Sequence, residues 1–222
     1  MNRLVTFGCS LTYGQSLENR MEQSWPAQLG KLLNLETDNQ GVCGSSTKRI
    51  WWDCINYKFE PSDTVVICWT HRDRWCIIKS PIDTEQYEEW DIDQISEKQD
   101  YLAVAENLEI ENFNQWQIDN NPKGKMWYEH FHNDFDMIVN YFALANHTNY
   151  YLGNKVQKIY HLYATTNDYP IPFFNEIKFL SPNLSQIRRQ FPLAPDGWHP
   201  GPQAMEEYAR QIHKEITEES ID

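Results

Sequence analysis

No apolar run among the 222 residues approaches the roughly 20 needed to cross a bilayer, so no membrane-spanning helix is expected. No cleavable leader is expected either. Met1-Asn2-Arg3 is followed by a short apolar stretch that runs straight into a glycine-serine motif, with neither a long apolar region nor a cleavage site; the expectation is a cytoplasmic protein. Cysteine is sparse and odd in number (Cys9, Cys43, Cys54, Cys68, Cys76), without a Cys-x-x-Cys pair. Neither a disulfide framework nor a zinc site is expected from it, and the thiols read as reduced. Positive charge is scarce, with 19 Lys and Arg against 32 Asp and Glu. The deficit is local: Ser80 to Asn121 holds 12 acids and one base, a charge of −11 out of −13, leaving −2 for the rest. Such a segment repels phosphate backbones, so no nucleic-acid partner is expected. Internal repeats and low-complexity tracts are absent as well.

What the chain does have is aromatic weight, 14% of residues within 41% hydrophobic content, enough for a real core or a ring-lined cleft. Leu4 to Phe7 reads as a buried strand ending at Gly8. Ser24 can cap a helix with Pro26 in its first turn and Trp25, Leu29, Leu32 and Leu33 as its apolar face. A weak strand precedes Gly41, and Ser45 or Ser46 caps a helix whose Ile50, Cys54, Ile55 and Phe59 recur at helical spacing. Thr64 to Thr70 is the clearest strand. It is apolar without alternation, as when helices cover both faces of a parallel sheet. Residues 79–125 interrupt the rhythm as an acidic insertion, with weak helical runs such as Tyr101 to Ala105. Trp127, Phe131, Phe135, Ile138, Val139 and Phe142 then predict one long amphipathic helix ending near Leu152. Val156 to Tyr163 is another strand, and a Pro- and Phe-rich loop spans Asn167 to Pro195. The last helix opens at Gly201-Pro202, with Ala204, Met205, Tyr208, Ile212 and Ile216 on one side. This alternation predicts one domain over 1–222 of α/β class, a three-layer α/β/α sandwich on a mainly parallel sheet, with 79–125 inserted. Strands Leu4–Phe7, Thr64–Thr70 and Val156–Tyr163 should be adjacent at its centre. In such sheets, sites form at the carboxyl ends of the strands.

Three stretches fall at those ends. Gly8-Cys9-Ser10-Leu11 follows the first strand and can present a serine hydroxyl beside free amides. Asn39-Gln40-Gly41-Val42-Cys43-Gly44-Ser45-Ser46 is a glycine-bearing loop entering a helix, whose amides can face developing negative charge. In Asp196-Gly197-Trp198-His199-Pro200 the aspartate can fix one ring nitrogen of a histidine three residues on, leaving the other as a base. Taken singly, these are equally a turn serine, an ordinary connection and a loop histidine beside a helix cap. His130 and His132 hint at a metal, but two residues apart on a helix they face differently and read as helix surface. Arg72 and Arg74 read as solvated loop arginines, and Cys9 as a nucleophile yields to its neighbour Ser10.

Together the three stretches resemble the SGNH hydrolases, also called GDSL esterases and lipases, over both ends and the first seventy residues. The resemblance implies a flavodoxin-like fold and a serine esterase acting without metal or cofactor. Ser10 would be the nucleophile, with Asp196 and His199 completing the triad and Gly44 supplying an oxyanion amide. The substrates it implies are esters of small acyl groups, including acetyl groups on carbohydrates. One block departs. Where the family ends a strand in Gly-x-Asn-Asp, with the Asn donating to the oxyanion, this chain reads Cys68-Trp69-Thr70-His71-Arg72-Asp73. Thr70 or His71 must then take that part, or the amides act alone. This variant ending resembles SGNH-type proteins of phages and environmental bacteria. The alternative is a non-catalytic, SGNH-like binding or virion-associated module.

Overall fold

The computed structural model describes residues 2–79, 109–113, 121–164 and 177–218. Four parallel strands form the sheet: β1 (Arg3–Phe7), β2 (Glu36–Asn39), β3 (Thr64–Trp69) and, last in chain order, Lys158–Tyr163. The spatial order is β2, β1, β3, then the last strand, in register Thr6↔Asn39, Thr6↔Val66 and Val66↔Tyr160. The three expected strands are therefore neighbours. An isolated parallel bridge from His161 to Phe179 continues the order outward.

The unbroken apolar run of β3 has a simple cause. Val66 and Cys68 point into one core with Leu4, Trp25, Leu29 and Tyr208, while Val65, Ile67 and Trp69 point into the other with Val5, Phe7, Ile50 and Tyr141. All six residues of β3 are buried. Each face is closed by two helices. On one side lie α3 (Trp25–Leu33) and the C-terminal helix (Pro202–Glu218), locked by the edge-to-face contact of Trp25 on Tyr208 at 5.7 Å. On the other lie α4 (Thr47–Asn56) and a helix over Asp134–Leu152. Short helices α1 (Ser10–Tyr13) and α2 (Arg20–Gln23) precede α3. From β1 the chain steps outward to β2, then returns past β1 to β3. The switch in direction therefore lies between β1 and β3, the point at which sheets of this class place a site at the strand ends.

Several expectations are corrected. The single long helix is two, α5 (Pro122–His130) and α6 (Asp134–Leu152). Asn133 breaks it, its side chain accepting from the amides of Phe135 and Asp136 at 3.0 and 3.1 Å. The restart turns Phe131 and Phe135 outward, 65% and 70% exposed, and the core face begins at Met137 and Ile138. Leu32 likewise lies outside the core. The loop before Pro195 contains a short helix, α7 (Leu184–Ile187), capped by Asn183, so the C-terminal helix is α8. After β3, strands β4 (Trp75–Lys79) and β5 (Glu109–Phe113) pair antiparallel outside the main sheet, making the last parallel strand β6. Apart from 79, 109–113 and 121–125, the acidic insertion lies outside the described residues, including the helical run at Tyr101 to Ala105. Among the described residues no helix is long and apolar enough to cross a membrane.

Candidate active site

Three loops converge at the switch point. In the first, β1 ends at Phe7, and Cys9 turns the chain so that its carbonyl accepts from the amides of Thr12 and Tyr13 at 3.0 and 2.9 Å. The amides of Ser10 and Leu11 precede that first bond. Ser10 itself is 6% exposed. Gly8 must be glycine, since a Cβ would stand 2.0 Å from the Thr12 hydroxyl and 2.9 Å from the Cys68 carbonyl. The end of β3 is thereby pressed against the turn that carries Ser10.

The second loop is hydrogen-bonded to the first: Gln40 N donates to Thr6 O at 2.8 Å and Val42 N to Gly8 O at 3.0 Å. Asn39 closes the joint, its Nδ2 donating to Thr12 O at 2.8 Å while its Oδ1 accepts from Gly41 N at 3.0 Å. Gly44 follows at φ +78°, where a side chain would meet nothing within 4 Å. It therefore borders open space and owes its identity to backbone conformation rather than crowding. Ser46 then caps α4 through Arg49 N.

The third loop carries the acid and the histidine. Asp196 accepts four hydrogen bonds: Oδ1 from the amides of Trp198 (2.9 Å) and His199 (3.0 Å), Oδ2 from the His199 ring Nδ1 (2.6 Å) and the Ser16 hydroxyl (2.6 Å). Partial burial opposes ionisation of the carboxyl, but these donors outweigh it and hold Asp196 well below the usual carboxylate range. An ionised carboxylate only accepts, so Nδ1 of His199 carries the hydrogen, and Nε2 of the neutral ring keeps its lone pair. A turn fixes the geometry, with Gly197 at φ +71° donating to Ala194 O, Ala194 N donating to His199 O, and Leu193 bridged to Pro200.

Ser16 is the residue that sequence reasoning passed over. It lies two positions beyond Gly14, the left-handed cap of α1, and its bond to Asp196 spans 180 positions of sequence. That bond fastens the Asp196–His199 turn to the loop that begins at Ser10. Its one local sign is a non-glycine residue at φ 66°, invisible in the sequence. Ser10 and His199 are not hydrogen-bonded in this structure.

At the end of β3, Thr70 is 3% exposed, whereas His71 turns outward and pairs through Nδ1 with Asp73 at 2.9 Å. That bond holds the Asp73 carboxyl below its ordinary range against the opposing effect of burial. Arg72 flanks the same carboxylate at 3.4 Å. His132 belongs to this cluster and not to a helix surface. It lies beyond the end of α5, 3.8 Å from Asp73 and 3.9 Å from Asp134. Among the described residues, Asp73, His132 and Asp134 alone form a trio with metal-ligand spacing. Asp73 also contacts His71 at 2.9 Å and Arg72 at 3.4 Å, so its carboxylate is shared with partners outside the trio. A cavity of about 460 Å³ lies elsewhere, between α2, α3 and the outer edge of β2, lined by Arg20, Lys31, Glu36 and Thr37 among others.

No protein-family model matches the sequence, and no curated protein sequence does. Solved structures do match. A catalytic mutant of an acetylxylan esterase from Geobacillus stearothermophilus superposes with a TM-score of 0.52 at 14% identity, over 96% of this chain and 93% of that one. The fold is that of the SGNH hydrolases. Two further structures are a member of the lipolytic G-D-S-L family from Veillonella parvula and a carbohydrate acetylesterase from Sinorhizobium meliloti. They have TM-scores of 0.45 and 0.47, each at 11% identity over 98% of this chain and 99% of theirs. At such identities the likeness speaks to architecture alone. In this SGNH-type architecture, Ser10 at the start of α1, the Gly44 loop and Thr70 follow the carboxyl ends of strands, and the Asp196–His199 turn is bonded to the Ser10 loop through Ser16.

Proposed function

We propose that the protein is a serine ester hydrolase in which Ser10 is the nucleophile, His199 the base and Asp196 the group that orients it. The observation that carries this reading is the chain of hydrogen bonds from Ser16 through Asp196 to His199, which ties an ionised, fully bonded aspartate and a tautomer-fixed histidine to the Ser10 loop. In the first half-reaction Oγ of Ser10 attacks the ester carbonyl and its proton passes to Nε2 of His199. The tetrahedral oxyanion is met by the amides of Ser10 and Gly44 and by Thr70 or His71. Collapse releases the alcohol, which takes the proton from His199, and leaves an acyl-Ser10 ester. Water, deprotonated by the same nitrogen, then hydrolyses it. No step calls on a metal or cofactor. Esters of small acyl groups, acetylated carbohydrates among them, are the substrates this site would suit; the acetylxylan esterase with the same fold supports that direction.

A fluorophosphonate probe tests the reading, because it labels only an activated serine. Wild type should be labelled, with labelling abolished in Ser10→Ala and strongly slowed in His199→Ala. Labelling that survives Ser10→Ala, or an unlabelled wild type, would overturn it and favour a binding module on the same scaffold.

A further inference from the structure

Asp73, from the loop after β3, meets His132 and Asp134, from the joint between α5 and α6, and the proposed ester chemistry uses none of the three. Neighbours set the ring of His132: Trp127 stands edge-on at 5.5 Å and Tyr128 tilts against it at 5.3 Å. Its Nε2 is sealed from solvent and makes no hydrogen bond. The same holds for Oδ1 of Asp73, 3.8 Å away. Oδ1 of Asp134 lies 3.9 Å from that nitrogen. Buried polar atoms are hydrogen-bonded almost without exception, so two orphans facing each other need a third body between them. The gap decides which. It is too wide for a hydrogen bond, which ends near ~3.2 Å, and too narrow for a bridging water, whose two bonds of about 2.8 Å hold their partners about 4.4 Å apart. Donors on one zinc ion, at about 2.0–2.2 Å each, stand about 3.4 Å apart in a tetrahedron and about 4.2 Å apart at the widest.

Charge agrees. Arg72 Nε stands 3.4 Å from the same Asp73 oxygen, and with neutral imidazoles two carboxylates against one guanidinium leave one negative charge in the cluster. The other Asp73 oxygen pairs with His71 Nδ1 at 2.9 Å, the outer partner that turns Oδ1 toward His132. We infer that Asp73, His132 and Asp134 bind one divalent transition-metal ion of the zinc class. An imidazole donor disfavours calcium and magnesium, which take oxygen. All three donor atoms lie within 4.8 Å of one another. Closing them on an ion asks for a shift of about an ångström, which Asp134, with its side chain 76% exposed, has room to make. Its solvent side is the entry path, and water completes the coordination there. The ion fastens the loop after β3 to the α5–α6 joint, where the Tyr128 hydroxyl already donates to the Asp73 carbonyl. It stands apart from the hydrolase reading, and no chemical step passes through it.

The test is metal binding by the full chain after dialysis against a chelator. Calorimetric titration with Zn²⁺ should show one equivalent bound per chain, and Co²⁺ in its place should give visible bands without thiolate charge transfer. At about a hundredfold excess of Zn²⁺ over Kd, the melting temperature should rise by about 5–10 °C. His132→Gln should weaken binding by about a hundredfold or more and Asp134→Asn by about tenfold, while Cys43→Ser should bind as wild type does. Asp134 is exposed, so its variant keeps the test decisive even where His132→Gln fails to fold. A wild type that takes up no Zn²⁺ overturns the inference and leaves the three side chains as an ion-pair cluster. Uptake unchanged in Asp134→Asn and His132→Gln, or a cobalt–thiolate band, places the metal elsewhere and also overturns it. Tighter binding of Ca²⁺ than of Zn²⁺ at these residues overturns the metal class.

Discussion

His161 titrates against the stability of the whole fold. It is 2% exposed in β6, flanked by the rings of Trp69 and Phe179 and by the amide of Asn149. Trp69 Nε1 donates to its Nδ1 at 2.9 Å, so the ring hydrogen resides on Nε2, facing Asn149 Oδ1 at 3.1 Å. Burial pushes its pKa down to about 3, against about 6.5 in an unfolded chain. The folded value is the lower one, so the unfolded state binds the proton first. Stability is complete above pH 6.5 and falls as pH drops toward 3. At pH 5 the unfolded imidazole is almost fully protonated and the folded one still neutral. The cost there is about 1.5 pH units, or ~2 kcal/mol at 1.36 kcal/mol per unit. It depends on the unfolded pKa and hardly at all on how far below 5 the folded one lies. His161→Gln retains an acceptor for Trp69 and a donor for Asn149 but cannot titrate. Urea unfolding at pH 7 and pH 5 should therefore show wild type losing ~2 kcal/mol more than the variant, the carboxylates cancelling between the two proteins. Equal losses would refute a neutral, buried His161.

Ser16→Ala removes one of four donors to Asp196 and the only tether from this turn to the Ser10 loop among the bonds described. Activity on a short-chain ester should fall about tenfold in kcat/KM with little change in melting temperature, as expected for one hydrogen bond to a charged group; a change below twofold would show that the turn holds its place unaided. For the oxyanion site, Thr70→Val should cost about a hundredfold in kcat and His71→Ala much less. Thr70 is buried at the strand end, while His71 is committed to Asp73. The reverse ranking would assign the donor to His71, and no loss in either would leave backbone amides alone.

Much of this architecture is written in local pattern. The six buried residues of β3 and the one-sided stripe from Ala204 to Ile216 in α8 are long, regular signals in which propensity, burial and spacing agree. The Asp-x-x-His turn was legible because four consecutive residues suffice to define it. Where one residue had to outvote a pattern, the sequence misled. Trp127 to Phe142 keeps a helical apolar period, yet Asn133 offers the backbone a better bond at the chain's turn and the period is cut. β4 and β5 were missed because a two-stranded ribbon outside the main sheet leaves only short strands with no shared period. Ser16 was illegible in a different way. Its partner is 180 positions distant, and no composition or spacing near it carries that information.

The tether between Ser16 and Asp196 also sets a timetable. A ribosome adds about 5–20 residues per second, so Ser10 leaves it roughly 10–40 s ahead of His199. Throughout that interval the first strand and its serine can form, but the Asp196–His199 pair proposed to activate it has not been made. Ser16 has nothing to hold until the turn before α8 emerges, and α8 itself supplies Met205, Tyr208 and Ile212 among others to one core. On the hydrolase proposal, assembly of the site and completion of that core are therefore one event, and the nascent chain would stay inert toward esters until α8 docks.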